Sequence, residues 1–158
     1  MSHILAIDPA TKTGVADTYG LRLLWNLDML AAHTHQGHRH LALARALRDQ
    51  LKAKSYSHVA IEEASYGATG QMRVMSFHNS LMGVILLVCA EHGVPVLTAK
   101  PTELKKYATG KGNAKKDDMI RAAKMAGERV SDDNIADAYW VMQWAANKVK
   151  IERMQCQQ

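Results

Sequence analysis

The chain has 158 residues, a hydrophobic content of 47% and a net charge of +5 at pH 7. This length indicates one domain with a proper core, and the longest apolar stretch, LMGVILLVCA, has about half the length that a membrane span needs. Two cysteines, Cys89 and Cys156, are too few for a disulfide framework and are expected to be free thiols of a cytoplasmic protein without a signal peptide.

The first three predicted elements are strands joined by short turns. Residues 3–8 form an apolar run that ends in Asp8, and residues 14–18 continue as a second strand. A tight turn at residues 19–20 leads into a third strand over residues 21–30. The sequence therefore predicts an antiparallel meander.

Helices and strands alternate in the rest of the chain. In order, we predict a helix over residues 38–53, a strand over 57–63, a helix over 72–92, a strand over 94–99, and helices over 101–108, 114–126 and 133–149. A meander followed by strand–helix crossovers implies a five-stranded mixed α/β sheet with helices on both faces. We predict a single domain over residues 1–150 and a flexible tail over 151–158.

Three acidic residues from distant parts of the chain have related positions. Asp8 ends the first strand, Glu62 ends the fourth, and Asp137 lies one turn into the last helix. If the two strands are neighbours, all three carboxylates approach one end of the sheet, where their repulsion requires a cation. Oxygen ligands favour Mg²⁺ or Mn²⁺, and a pair of such ions can activate water for phosphodiester hydrolysis. Taken singly, an aspartate that ends a strand before proline, as Asp8 does, is more often a turn residue, and Glu62 can be a solvated side chain.

The positive charge is concentrated in one segment. Residues 100–129 contain nine Lys or Arg against four Asp or Glu, a surplus equal to the whole net charge. Such a segment is typical of a polyanion-binding surface, although a solvated helical face gives the same pattern.

Taken together, four motifs resemble those of the RuvC family of Holliday-junction resolvases, within the RNase H-like superfamily. They are ILAIDPATKTGVA, VAIEEA, LKKYATGKGNAKKDDM and ADAYWVM, in chain order. The resemblance implies an RNase H-like fold and a crossover junction endodeoxyribonuclease that makes paired symmetric nicks. The compact chain and its DDNIADA variant favour a bacteriophage or prophage version that acts in the cytoplasm of a bacterial host.

The resemblance also assigns the metal ligands. Asp8, Glu62 and Asp137 correspond to acids that hold two Mg²⁺ or Mn²⁺ ions per active site. The fourth family acid falls on Asn134, which lacks the charge, so Asp133 on the same helix face is the alternative, and we favour it slightly. Ala10, where the family usually has glycine, is a further departure that concerns the turn.

The DNA contacts are likewise implied by the resemblance. Lys105 and Lys116 correspond to lysines that contact DNA, and Lys116 is expected to stabilise charge at the phosphate and so to share in catalysis. The remaining backbone contacts are assigned to Lys100, Lys106, Lys111 and Lys115. Tyr66 takes the place of an aromatic residue near the junction centre, unless it packs locally.

The resemblance also implies a homodimer, whose isologous contact matches the near two-fold symmetry of the junction. The helix over residues 72–92 is the expected interface, unless its apolar face, with Leu81, Ile85 and Val88, belongs to the monomer core.

Two other motifs are discounted. The histidines of residues 33–40 lack the partner ligands of a zinc site, and TGKG lacks the rest of a P-loop, so neither a structural zinc nor a nucleotide cofactor is expected.

Two alternatives to junction resolution stay open. One is a related nuclease that cuts RNA–DNA hybrids or general branched DNA, and the other is a non-catalytic junction-binding module.

Overall fold

A five-stranded mixed sheet forms the centre of the protein. The computed structural model describes residues 2–30, 37–64, 72–130 and 132–156, with the backbone alone for residues 72 and 73. The strands are β1 Ile4–Asp8, β2 Lys12–Asp17, β3 Arg22–Asn26, β4 His58–Glu62 and β5 Val96–Ala99. Their order in the sheet is β3-β2-β1-β4-β5, with β1–β2 and β2–β3 antiparallel and β1–β4 and β4–β5 parallel. The predicted meander and mixed sheet are confirmed.

Helices cover both faces of this sheet. They are α1 Leu27–Leu30, α2 His38–Ala53, α3 Met72–Glu91, α4 Pro101–Thr109, α5 Lys116–Met125 and α6 Asp133–Gln155. Side chains of β1 alternate between the faces, so that Leu5 and Ile7 pack with α2 and α3, whereas Ile4 and Ala6 pack with α4, α5 and α6. The alternation is the period of two that an extended strand imposes.

The third strand is shorter than the sequence predicted. It ends at Asn26, and the rest of the predicted strand forms the single turn of α1. The Asn26 side-chain oxygen accepts hydrogen bonds from the backbone N–H groups of Asp28 (3.2 Å) and Met29 (3.3 Å), as a helix N-cap does. Leu27 is buried in the core, which fixes this turn against the sheet.

The last helix is longer than predicted. Its predicted end near Val149 is wrong, because residues 150–155 continue α6 with exposed side chains. The division into one domain over residues 1–150 and a flexible tail over residues 151–158 stays a prediction.

A salt bridge joins β3 to the connection that leads into α6. Arg22 at the start of β3 donates two hydrogen bonds to the Glu128 carboxylate (3.1 and 2.9 Å). The same guanidinium lies 5.2 Å from the ring centroid of Tyr139 on α6, a distance at which cation–π attraction acts. These contacts orient the helix that carries the predicted acids.

The long helix α3 is half core and half surface. Leu81, Ile85 and Val88, the residues left open between core and interface, are fully buried within the monomer. Its other face exposes Leu86 (47%) and Leu87 (60%).

The segment Val74–Glu91, with mean hydropathy 1.5, passes the length and composition test for a membrane span, contrary to the expectation that no stretch is long enough. One such helix is weak support for a span, since core helices pass the same test.

Candidate active site

Asp8 and Glu62 lie side by side because their strands are parallel neighbours. The register pairs Ile7 with Ile61, so that the next residue of each strand, Asp8 or Glu62, emerges at the same end of the sheet. The first and fourth strands are therefore neighbours, as the convergence of these two acids requires.

The N-terminus of α6 brings the third acid to this end of the sheet. Asp132 is the N-cap, and its side chain accepts a hydrogen bond from the Asn134 backbone N–H (2.9 Å). The helix can approach β2 closely because position 14 is glycine. A Cβ on Gly14 would lie 1.9 Å from the Asn134 carbonyl oxygen, a distance that no packed atom pair tolerates.

The acids interact strongly enough to change each other's protonation. Burial raises the pKa of Asp8 well above its ordinary range, and the charges of Asp137 and Glu62 raise it further. Burial and the Asp137 charge raise the pKa of Glu62 to about 7. Burial also raises the pKa of Asp137 to about 6, with the Asp133 charge adding to the effect. We call Asp8, Glu62, Asp133 and Asp137 the acid cluster.

A lysine partly balances this negative charge. The Lys116 ammonium donates a hydrogen bond to Asp133 Oδ2 at 2.5 Å. The contact lowers the pKa of Asp133 and raises the pKa of Lys116. Since α5 begins at Lys116, the helix start places this cation beside the acids.

Three cavities open onto the acid cluster. One, of about 500 Å³, lies between α4, α5 and α6 and is lined by Glu62, Asp137, Lys105, Lys115, Lys116 and Asn113 among others. A second, of about 600 Å³, includes Asp8, Asp137, Asn134, Lys12 and Lys116. The third is smaller and adjoins Asp8, Glu62, Val74, Met75 and His78. Cationic side chains thus share two cavities with the acids.

The other predicted DNA contacts have different positions. Lys106 lines a groove with Tyr107 and Trp144, between α4 and α6, and Lys111 lines one between α4 and α5; neither groove includes a member of the acid cluster. Lys100 is the N-cap of α4 and is exposed. Tyr66 lies outside the described residues, as do His33 and His35 of the histidine-rich segment.

Sequence reasoning missed several residues at the site, among them His78, Asn113 and Lys12, which lines a cavity with Asp8 and Asp137. His78 Nε2 lies 3.1 Å from the Glu62 carbonyl oxygen, which can only accept, so this nitrogen carries the proton. His78 also lines two of the three cavities. Asn113 lines the lysine-rich cavity. His78 could have been noticed as a polar residue within the largely apolar sequence of α3. The sequence offered no signal for Asn113 except its position in the TGKGN loop.

The chemistry of the acid cluster suits a hard divalent cation. Buried, mutually repelling carboxylates are stabilised by a cation between them, and their oxygens are the ligands that Mg²⁺ and Mn²⁺ prefer. In the part of the chain that the structure describes, however, no group of three or more His, Cys, Asp or Glu side chains is arranged to hold an ion. The carboxylate oxygens of the acid cluster are thus suitable ligands for Mg²⁺ or Mn²⁺, but their side chains must change position to coordinate one ion together.

Both candidates for the fourth ligand lie at the cluster. Asn134 lines a cavity with Asp8 and Asp137, while Asp133 contributes charge that raises the pKa of both. Asp133 is engaged with Lys116, so the slight preference for it stays a prediction.

Comparison with known proteins gives a consistent result. A family model described as crossover junction endodeoxyribonuclease RuvC matches residues 4–142. Curated relatives of that name include one from Desulfitobacterium hafniense, 30% identical over 160 residues and 94% of each chain. Another, from Heliobacterium modesticaldum, is 31% identical over 85% of this chain and 88% of its own.

Solved structures share the fold. The Thermus thermophilus RuvC structure matches with a TM-score of 0.72 at 18% identity, over 95% of this chain and 96% of the other. The T. thermophilus RuvC in complex with Holliday junction substrate matches with a TM-score of 0.71 at 19% identity, over 90% and 91%. The predicted RNase H-like architecture is confirmed.

Proposed function

The chain belongs to the RuvC family of crossover junction endodeoxyribonucleases, and we propose that it resolves Holliday junctions by paired, metal-dependent nicks made at the acid cluster. One observation carries the assignment to this site. The parallel pairing of β1 with β4 places Asp8 beside Glu62 at the strand ends, where the charge of Asp137 on α6 acts on both.

The acid cluster would hold the metal, through Asp8, Glu62, Asp137 and either Asp133 or Asn134. Two Mg²⁺ or Mn²⁺ ions would supply activation of water and neutralisation of charge on the leaving oxygen. The raised pKa values of Glu62 and Asp137 support this role, because they record the cost of holding the carboxylates ionised without a partner.

The chain's own cations would position the DNA strand. Lys105, Lys115 and Lys116 line the cavity that contains Glu62 and Asp137, so a backbone phosphate held there lies next to the acids. Among the described residues, Lys116 is the cation that directly contacts a member of the acid cluster, and it would stabilise negative charge on the phosphate. His78 holds the Glu62 backbone by its hydrogen bond and keeps this carboxylate in place.

A cleavage assay tests the function. Incubated with a labelled four-way junction and Mg²⁺, the protein is expected to make nicks at symmetry-related positions in two strands and to leave 5′-phosphate ends. Hybrid RNA–DNA duplexes and linear DNA serve as competing substrates. Cleavage of hybrids without cleavage of junctions would favour the related-nuclease alternative, and junction binding without cleavage in Mg²⁺ or Mn²⁺ would favour the binding module.

Lys105 and Lys106, adjacent on α4, allow a matched test of where the DNA backbone binds. Lys105→Ala is expected to weaken junction binding and reduce the slope of log Kd against log salt by about one, because one phosphate contact is lost. Lys106→Ala removes the same charge from a side chain that lines the groove beyond α4. Fluorescence anisotropy at several salt concentrations measures both. Equal effects would contradict the proposed path through the cavity of Lys105.

We further propose that the exposed face of α3 forms a homodimer interface. Gly83, Leu86, Leu87 and Ala90 are exposed at helical spacing, and a solvent-exposed apolar helix face marks an interaction site. A second copy of the chain is the partner that a two-fold symmetric junction requires.

Leu87→Glu is therefore expected to convert the dimer into a folded monomer. A charge placed at the centre of this face must be desolvated on association, while Leu87 is 60% exposed in the single chain. Size-exclusion chromatography with light scattering measures the mass. Met125→Glu, at an 84% exposed apolar side chain of α5, is the control and should stay dimeric. A monomeric wild type, or a dimeric Leu87→Glu, would contradict this interface.

The phage or prophage origin and the cytoplasmic location in a bacterial host remain predictions from the sequence.

A further inference from the structure

Lys116, proposed to bind a DNA phosphate, forms a salt bridge with Asp133, a candidate metal ligand. The ammonium lies 2.5 Å from Asp133 Oδ2. The Lys116 side chain is nevertheless 74% exposed and that of Asp133 36% exposed. An ion pair with this exposure is weak and readily exchanged.

The ammonium also acts on the rest of the acid cluster. Its charge lowers the pKa of Asp8, Glu62 and Asp137, against the burial that raises each of them. Lys105 acts on Glu62 and Asp137, but its interaction is through space, without a hydrogen bond to Asp133 in the described structure. Lys116 is thus the cation that the acid cluster holds by direct contact.

We propose that Lys116 is a displaceable internal counterion, which occupies Asp133 in the DNA-free protein and competes there with the divalent ion until a DNA phosphate draws it away. This inference rests on the proposed function, since it concerns the same metal site. It adds an order of events: the arriving DNA frees a metal ligand, so that substrate and metal bind with positive coupling.

Electrostatics produces this competition wherever the divalent ion uses Asp133 as a ligand. A divalent ion that uses Asp133 must displace or repel the ammonium bound to Oδ2, because both need the same carboxylate and carry charge of the same sign. A phosphate in the cavity lined by Lys116 offers the ammonium a new partner. By linkage, whatever factor DNA adds to metal affinity, the metal adds to DNA affinity.

The test is Mn²⁺ binding by the DNA-free protein, measured by calorimetry and by the electron paramagnetic resonance signal of free Mn²⁺. Lys116→Met and Lys105→Met each remove one positive charge near the acids, and only the first also removes the ion pair. We expect both variants to bind Mn²⁺ more tightly than the wild type. Lys116→Met should exceed Lys105→Met by about fivefold, the scale of a partly exposed ion pair.

A second background isolates the contact. With Asp133→Asn already present, Lys116→Met should tighten Mn²⁺ binding no more than Lys105→Met does, because the competing pair no longer exists. Circular dichroism checks that each variant is folded, since Lys116 is exposed and Lys105 is half-buried.

Equal tightening in the two single variants, or no tightening in Lys116→Met, would overturn the counterion role. That result is separable from failure of the proposed function, which is recorded by whether the wild type cuts junctions in Mg²⁺. Absence of Mn²⁺ binding in every variant would overturn both the metal site and this inference.

Discussion

Replacement of Glu62 by glutamine is expected to abolish junction cleavage and at the same time to stabilise the metal-free fold at pH 8. The loss of activity should be about 10²- to 10³-fold, the scale on which removal of one charge-stabilising group acts. The gain in stability follows from the burial of Glu62 next to Asp137, which raises its pKa to about 7.

The direction of the pH effect follows from proton linkage. The folded state holds the Glu62 proton up to about pH 7, whereas an unfolded chain releases it near the ordinary value of 4.5. The wild type therefore loses stability as the pH rises from about 4.5 through about 7, by roughly 3 kcal/mol in the free energy of unfolding. Glutamine is uncharged at every pH, so the variant should not show this part of the loss.

Urea unfolding at pH 5 and pH 8 in the presence of a chelator measures the effect. The two proteins should differ little at pH 5, and the variant should be the more stable at pH 8. Glu103→Gln makes the same chemical change at an exposed position of α4 and should follow the wild type at both pH values. If Glu62→Gln and the wild type lost the same stability between pH 5 and pH 8, ionisation of Glu62 would not destabilise the folded protein.

The strand-end acids could be predicted because their position depends on local pattern alone. An apolar run that stops at an acid identifies Asp8 and Glu62 as terminal residues of strands, and parallel pairing of those strands then brings them together.

The direction of side chains from α3 and α4 could not be predicted in the same way. Periodicity says that residues share a helix face, but it does not say which face meets the sheet. Leu81, Ile85 and Val88 were candidates for the interface and are core. Lys105 and Lys106 were given one role, yet they line different cavities.

The turn of α1 was missed for a more specific reason. The β-like run at residues 21–30 contains Asn26, whose side chain caps a helix as readily as it tolerates a strand end. Tertiary packing of Leu27 decides between the two, and single-chain propensity does not contain that information.

The close approach of α6 to β2 leads to a second large effect. Gly14→Ala is expected to reduce the free energy of unfolding by roughly 3 kcal/mol and to abolish cleavage. The added methyl group would overlap the Asn134 carbonyl carbon and oxygen, which lie 2.4 and 1.9 Å from its ideal position. These are backbone atoms at the start of α6, so relief requires movement of the helix itself, at the upper end of the cost of overpacking.

That movement would carry Asp133, Asn134 and Asp137 away from Asp8 together, and a shift of about 1 Å at reacting groups costs on the order of 10²-fold in rate. Thermal unfolding and the junction assay measure the two effects. Gly112→Ala is the matched control for stability, because its Cβ would meet the Thr102 carbonyl oxygen at an ordinary contact distance of 3.5 Å. If Gly14→Ala were as stable as Gly112→Ala and still cut junctions, the N-terminus of α6 would not be held against β2, and the placement of Asp137 beside the strand ends would lose its structural basis.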